Sequence, residues 1–233
     1  MLWLLFLSCV LGYQEEGNLT TLSLEQVHAT HHYNYSKALE SSLKIISFND
    51  ELENIGHGSG NYFKIGGEKF IVTAAHLIIE DTTLYVDDVH VYIKLEVLHL
   101  DVENDIAILK PSGELKNTRA VDYRVNTKRD ILGISVVHSG YPADLQKSIF
   151  NGMVSRCSEY AVTIQSFALP GSSGSIVFDN SGRVIGLVSY LKVAAHGYSP
   201  YPQLYETLVY VSRLNKYNRS TIKEILRQWK TSK

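Results

Sequence analysis

From about Lys44 the chain becomes a succession of short apolar runs separated by Gly, Asn and Asp. They fall at 43–48, 61–65, 69–73, 89–95, 106–109, 131–137, 162–164, 175–178 and 184–189, and many are rich in Val, Ile, Tyr and Phe. Gly66-Gly67, Asp87-Asp88 and Asn180-Ser181-Gly182 supply turn signals between them. Short β-branched runs with frequent turns predict an all-β sandwich or barrel. No strand–helix alternation argues for a parallel sheet, and no fixed-period repeat is visible.

The two ends read differently. Before the β region lies a polar arm with a short helix expected near 35–43. Near the C-terminus, Ile222, Ile225, Leu226 and Trp229 share one helical face, and Thr221 and Glu224 have capping-box spacing. That predicts a terminal helix docked on the body of the domain.

Composition narrows the setting. A 45% hydrophobic content suits a packed globule, and a net charge of −2 gives no electrostatic case for nucleic acid. Met1 to Gly12 is apolar but shorter than the roughly 20 residues a membrane-spanning helix needs, so it reads as a secretory signal peptide rather than stable membrane insertion. Sequons at Asn18, Asn34 and Asn218 fit a secreted glycoprotein. Once Cys9 leaves with the leader, Cys157 remains alone and reads as a small buried hydrophobe. His31-His32 lacks a third ligand at suitable spacing, so no metal is implied.

The candidate chemistry lies in three local motifs. Pro170-Gly171-Ser172-Ser173-Gly174 sets a serine between glycines ahead of an apolar run. A serine hydroxyl needs a base, usually a histidine held by a carboxylate. Val72-Thr73-Ala74-Ala75-His76 and Asn104-Asp105-Ile106-Ala107 lie upstream, in the order His, Asp, Ser. His76 ends an apolar strand through two alanines, and Asp105 opens an apolar run.

Together with Gly56-His57-Gly58-Ser59-Gly60 and Gly182-Arg183-Val184-Ile185-Gly186, these motifs make the region from about 45 to 191 resemble the chymotrypsin-like (trypsin-fold) serine proteases. It looks most like the disulfide-poor branch of HtrA-type and viral members. The resemblance implies two six-stranded antiparallel β-barrels packed face to face, with a C-terminal helix. It divides the chain into signal peptide 1–12, arm 13–44, first barrel 45–112, connection 113–130, second barrel 131–195 and C-terminal segment 196–233. Ser173 would be the nucleophile, His76 the general base and Asp105 its orienting partner. The amides of Gly171 and Ser173 would form the oxyanion hole. Phe167 would lie at the base of the specificity pocket, with Ser189, Tyr190 and Leu191 along the substrate strand and Leu191 at the pocket mouth.

Ser172 stands where animal members carry an aspartate, so no N-terminal insertion switch is expected. The implied partner is a protein or peptide substrate with a small or medium apolar residue in the pocket, and no cofactor is implied. A peptide-binding module with weak catalysis and a viral polyprotein-processing protease are the alternatives.

Overall fold

The computed structural model describes residues 34–51, 53–194 and 203–232, and side chains throughout except at 191–194 and 203–206. The expected leader and most of the arm lie outside those residues. A helix, α1, occupies 34–41 and leads directly into β1 (Ser42–Phe48). The first barrel closes in the order β1, β4 (Thr83–Asp87), β5 (Tyr92–Asp101), β6 (Ile106–Pro111), β3 (Glu68–Thr73) and β2 (Asn54–Ile65), with β1 also paired to β2. It therefore opens at Ser42, slightly ahead of the expected boundary.

The connection is not a bare linker. Within it, β7 (Val121–Asp122) pairs parallel to β2, and Val125 bridges to Val184 of the second barrel.

The second barrel is closed by β8 (Ser135–Gly140), β9 (Ser148–Cys157), β10 (Ala161–Gln165), β13 (Gln203–Arg213), β12 (Val184–Ala194) and β11 (Ile176–Asp179). Its sixth strand comes from beyond the expected limit at 195. β13 lies between β10 and β12 and completes the ring, so the boundary moves to 213.

Why the apolar runs are continuous is visible in β3 and β6. Ile71, Ala107 and Leu109 fill the first barrel, while Phe70, Val72, Ile106 and Ile108 face outward. That outward face packs against Phe178, Val184 and Leu187 of the second barrel. Both faces are buried, so alternation with polar residues disappears. Tyr123 plugs this interface, edge-on to Phe63 and Phe70 at 5.0 and 5.4 Å.

The terminal helix, α2 (Arg219–Thr231), joins the same core through Ile222 and Leu226. The expected capping box does not form. Asn218 is the N-cap and accepts from the amides of Ser220 and Thr221, while Glu224 pairs with Arg227. An Asx side chain one turn earlier satisfies those amides, leaving Glu224 free to face solvent.

Cys157 also differs from expectation. It is half-buried, with Sγ donating to the Arg129 carbonyl and accepting from Arg213 Nη1, both at 3.3 Å.

His138 is fully buried in β8, with Nε2 3.1 Å from Ser166 Oγ. Burial pushes its pKa down to about 4, from about 6.5. The unfolded chain therefore binds the extra proton first as pH falls. Stability conferred by the neutral ring is complete above 6.5 and is lost progressively towards pH 4, by about 3 kcal/mol. Urea unfolding between pH 4 and 7 should show this slope in the wild type and a shallower one in His138→Gln.

Candidate active site

Asp105 begins at a backbone constraint. It closes the β5–β6 turn with φ +57°, the left-handed region that aspartate tolerates better than most residues. Its amide donates to the Val102 carbonyl at 3.3 Å. The side chain receives the His76 Nδ1–H, 2.9 and 3.0 Å from its two oxygens, and the His76 amide at 2.9 Å. Ser189 Oγ donates to the second oxygen. Burial alone would raise the Asp105 pKa. The bonds from His76 Nδ1, Ser189 Oγ and the His76 amide outweigh it and hold the carboxyl below the usual carboxylate range. Asp105 is thus an anion near neutral pH, fixing an imidazole whose Nε2 is left for other work.

His76 sits in a single 3-10 turn (Ala75–Leu77) directly after β3. The buried Ala74 and Ala75 let the chain turn tightly there, and the imidazole stays half-exposed at the mouth of a cleft.

Ser173 approaches from the second barrel on a loop that β2 and β3 hold closely. The Ser59 amide donates to the Ser173 carbonyl at 2.8 Å, and the Gly174 amide to the Val188 carbonyl at 2.7 Å. Gly174, at φ +86°, lies so close to the Ser59 carbonyl and Thr73 Oγ1 that no Cβ fits. Ser173 Oγ donates to the Ser189 carbonyl at 3.3 Å, and among the described residues it makes no bond to His76. Such bonds are often unmade before substrate arrives.

The amides of this loop divide into two groups. Those of Ser172, Gly174 and Ser175 find carbonyls at Leu169, Val188 and Ser172. Among the described residues, those of Gly171 and Ser173 find none. The carbonyls around them are fixed: Pro170 O accepts from the Ala143 amide at 2.6 Å, and Gly171 O from Ser59 Oγ at 2.7 Å. Ser59 Oγ in turn accepts from the Tyr141 amide at 2.9 Å. In a trans peptide, N–H points opposite to C=O. Pinning Pro170 O therefore aims the Gly171 N–H away from Ala143.

The cleft, of about 610 Å³, runs past His76, Asp105 and Ser173 to Ala168, Leu169 and Pro170. Val102 and Val188 to Tyr190 form its other walls. Phe167 is not part of it. Burial alternates through Ser166, Phe167 and Ala168, so Phe167 turns away from the cleft, partly exposed, and packs on Phe150 at 5.7 Å. Leu191 continues β12 opposite Val209, its side chain being outside the described set.

Sequence reasoning did not identify Ser59, the Ser189 hydroxyl or Val102. Ser59 and Ser189 act through partners distant in the chain, and Val102 is an exposed turn residue that no motif marks. His57 packs on Gly171 and accepts the Asp144 amide at 3.2 Å, consistent with a structural part in this loop.

Comparisons with known proteins follow the same lines. The profile of the trypsin-like peptidase domain matches residues 58–187. A probable periplasmic serine endoprotease, DegP-like, from Halomonas elongata is 26% identical over 159 residues. That alignment covers 64% of this chain and 32% of the relative, so the chain spans about a third of the curated protein it matches. The crystal structure of the serine endoprotease from Yersinia pestis superposes with a TM-score of 0.62 at 16% identity, covering 84% of this chain and 66% of that one. The profile takes in more than half of the chain, including His76, Asp105 and Ser173, and the chain belongs to the trypsin-like peptidase domain family.

Proposed function

We propose that the protein is a serine endopeptidase that cleaves peptide bonds through Ser173, His76 and Asp105. The observation that carries this reading is the His76–Asp105 pair beside two amides of the Ser173 loop that find no carbonyl among the described residues. Ser173 Oγ turns from the Ser189 carbonyl to His76 Nε2 and attacks the scissile carbonyl as its proton passes to the imidazole. Asp105 stabilises the imidazolium, and the Gly171 and Ser173 amides receive the oxyanion. His76 then returns the proton to the leaving amine. Water repeats the sequence on the acyl-enzyme.

Ala168, Leu169 and Val188 make the pocket wall apolar and offer no charge to a substrate side chain. A small or medium aliphatic residue fits that lining. The Halomonas relative bears a periplasmic name, which together with the apolar run at 1–12 supports export.

The bond from Ser173 Oγ to the Ser189 carbonyl favours a second reading, a peptide-binding homologue with weak catalysis. Labelling the purified chain with a fluorophosphonate separates the two. Stoichiometric labelling followed by cleavage of a peptide library supports the endopeptidase. A folded chain that stays unlabelled supports the binding module.

The sequons also separate by environment. Asn34 is 4% exposed and its Nδ2 donates to the Asn180 carbonyl, whereas Asn218 is exposed and caps α2 with its Oδ1. Secreted from a glycosylating host, the folded chain should lose a glycan at Asn218 on amidase treatment. Asn218→Gln should remove that mass shift, and Asn34→Gln should leave it.

A further inference from the structure

Resting on the reading of Asp105 as the orienting carboxylate, we propose that Tyr217 is a positioning residue for catalysis. From the segment just before α2, it grips the β5–β6 turn that carries Asp105. The link consists of three residues. Tyr217 Oη donates to Asp101 Oδ2 at 2.6 Å. Asp101 Oδ1 accepts the Asn104 amide at 3.0 Å, and Oδ2 accepts Asn104 Nδ2 at 2.8 Å. Asn104 immediately precedes Asp105.

The turn needs such a hold. Asp105 keeps a left-handed backbone, and its own amide bond to Val102 is long at 3.3 Å. Val102 is exposed at the tip, so no core packing fixes the turn from that side. His76 and Ser189 hold the turn at the Asp105 side chain, and Asp101, one residue before Val102, is where a distant residue holds its other end.

Tyr217 is itself well anchored. It is 8% exposed within the inter-barrel core, its carbonyl accepts from Tyr123 Oη at 2.8 Å, and its amide donates to Leu214 O at 2.9 Å. His99 Nε2 lies 3.1 Å from the Tyr217 hydroxyl. Burial and the Asp101 charge push the Tyr217 pKa up, so the phenol keeps its proton. Asp101 is desolvated too, yet the bonds from Tyr217 and Asn104 hold its carboxyl below the ordinary range. The pair is a neutral donor on an ionised acceptor, the stronger kind of hydrogen bond. A small displacement of a catalytic group is enough to matter, since about 1 Å of misplacement costs on the order of 10²-fold in rate.

The test uses the full chain, with fluorophosphonate labelling of the wild type and of Ser173→Ala establishing the protease reading separately. On a chromogenic peptide, Tyr217→Phe should lower kcat about tenfold with KM within about twofold of wild type. The far-downfield proton resonance of the His76 Nδ1–H shared with Asp105 should shift or broaden. Lys230→Ala, which removes the α2 contact to Glu68 on β3, should change neither.

A folded Tyr217→Phe with unchanged kcat and an unchanged downfield line overturns the proposal. So does an equal loss in Lys230→Ala, which would mark loosened helix docking as the cause. Should Tyr217→Phe not fold, Asn104→Ala cuts the same link nearer the turn. The same kcat loss there supports the proposal, and wild-type kcat refutes it. An unlabelled wild type would overturn the protease reading alone, because the downfield resonance still reports whether Tyr217 governs the His76–Asp105 contact.

Discussion

Ser173→Ala is expected to abolish fluorophosphonate labelling and to lower peptide turnover by about 10⁶-fold, roughly 8 kcal/mol of transition-state stabilisation. His76→Ala should fall almost as far, because without a base the hydroxyl is an ordinary alcohol. The double variant should be scarcely worse than either alone. Non-additivity of that kind marks residues that act as one unit, and single-turnover hydrolysis of an activated ester would measure it. Asp105→Asn should cost about 10⁴-fold. An asparagine amide presented to His76 Nδ1 favours the tautomer with its proton on Nε2, where Ser173 needs an acceptor. Additive losses among the three variants would mean that these residues do not share one reaction. Their folded stability should change much less than their activity, since Ser173 and His76 sit at the cleft and contribute little to the cores.

The candidate residues were easier to find in the sequence than the contacts that hold them. Ser173, His76 and Asp105 each lie in a short local motif, and the structure brings the His76 and Asp105 side chains together beside the Ser173 loop. The all-β class was legible for a similar reason, because strands buried on both faces leave uninterrupted Val and Ile runs such as Ile106 to Leu109. β13 was harder. Its run follows Pro200 and Pro202, and the inward Val209 and Val211 alternate with partly exposed Tyr210 and Ser212. β9 carries only a weak apolar signal, because Val154 is the one residue of that strand to be buried. Phe167 illustrates a different limit. Counting back from Ser173 gives a position along the chain, but the path of the loop after β10 decides the face, and Ser166 and Ala168 take the inward one. The contacts of Ser59 with Gly171 and of Ser189 with Asp105 span 112 and 84 residues, so no local pattern encodes them.

Gly171→Ala should remove most activity by a different route, leaving the three side chains intact. Gly171 holds φ at +91°, a backbone conformation open to glycine and strained for alanine. A methyl group there would also run into His57 Nε2 and the Tyr141 carbonyl. Neither neighbour yields freely. The His57 ring is tied to the Asp144 amide, and Tyr141 is tied through its own amide to Ser59 Oγ, which holds the Gly171 carbonyl. The peptide before residue 171 must therefore rotate, and its N–H leaves the position proposed to face the oxyanion. Losing one such donor costs on the order of 10²- to 10³-fold in kcat. Because the hole acts on the transition state and not on the peptide side chain in the pocket, the loss should fall on kcat with KM nearly unchanged. Ser59→Ala gives an intermediate case, freeing the Gly171 carbonyl without adding bulk, and should lose about 10-fold. If Gly171→Ala folds and keeps wild-type kcat, the unpaired amides are not the oxyanion site, and the Ser173 loop must stabilise the intermediate in another conformation.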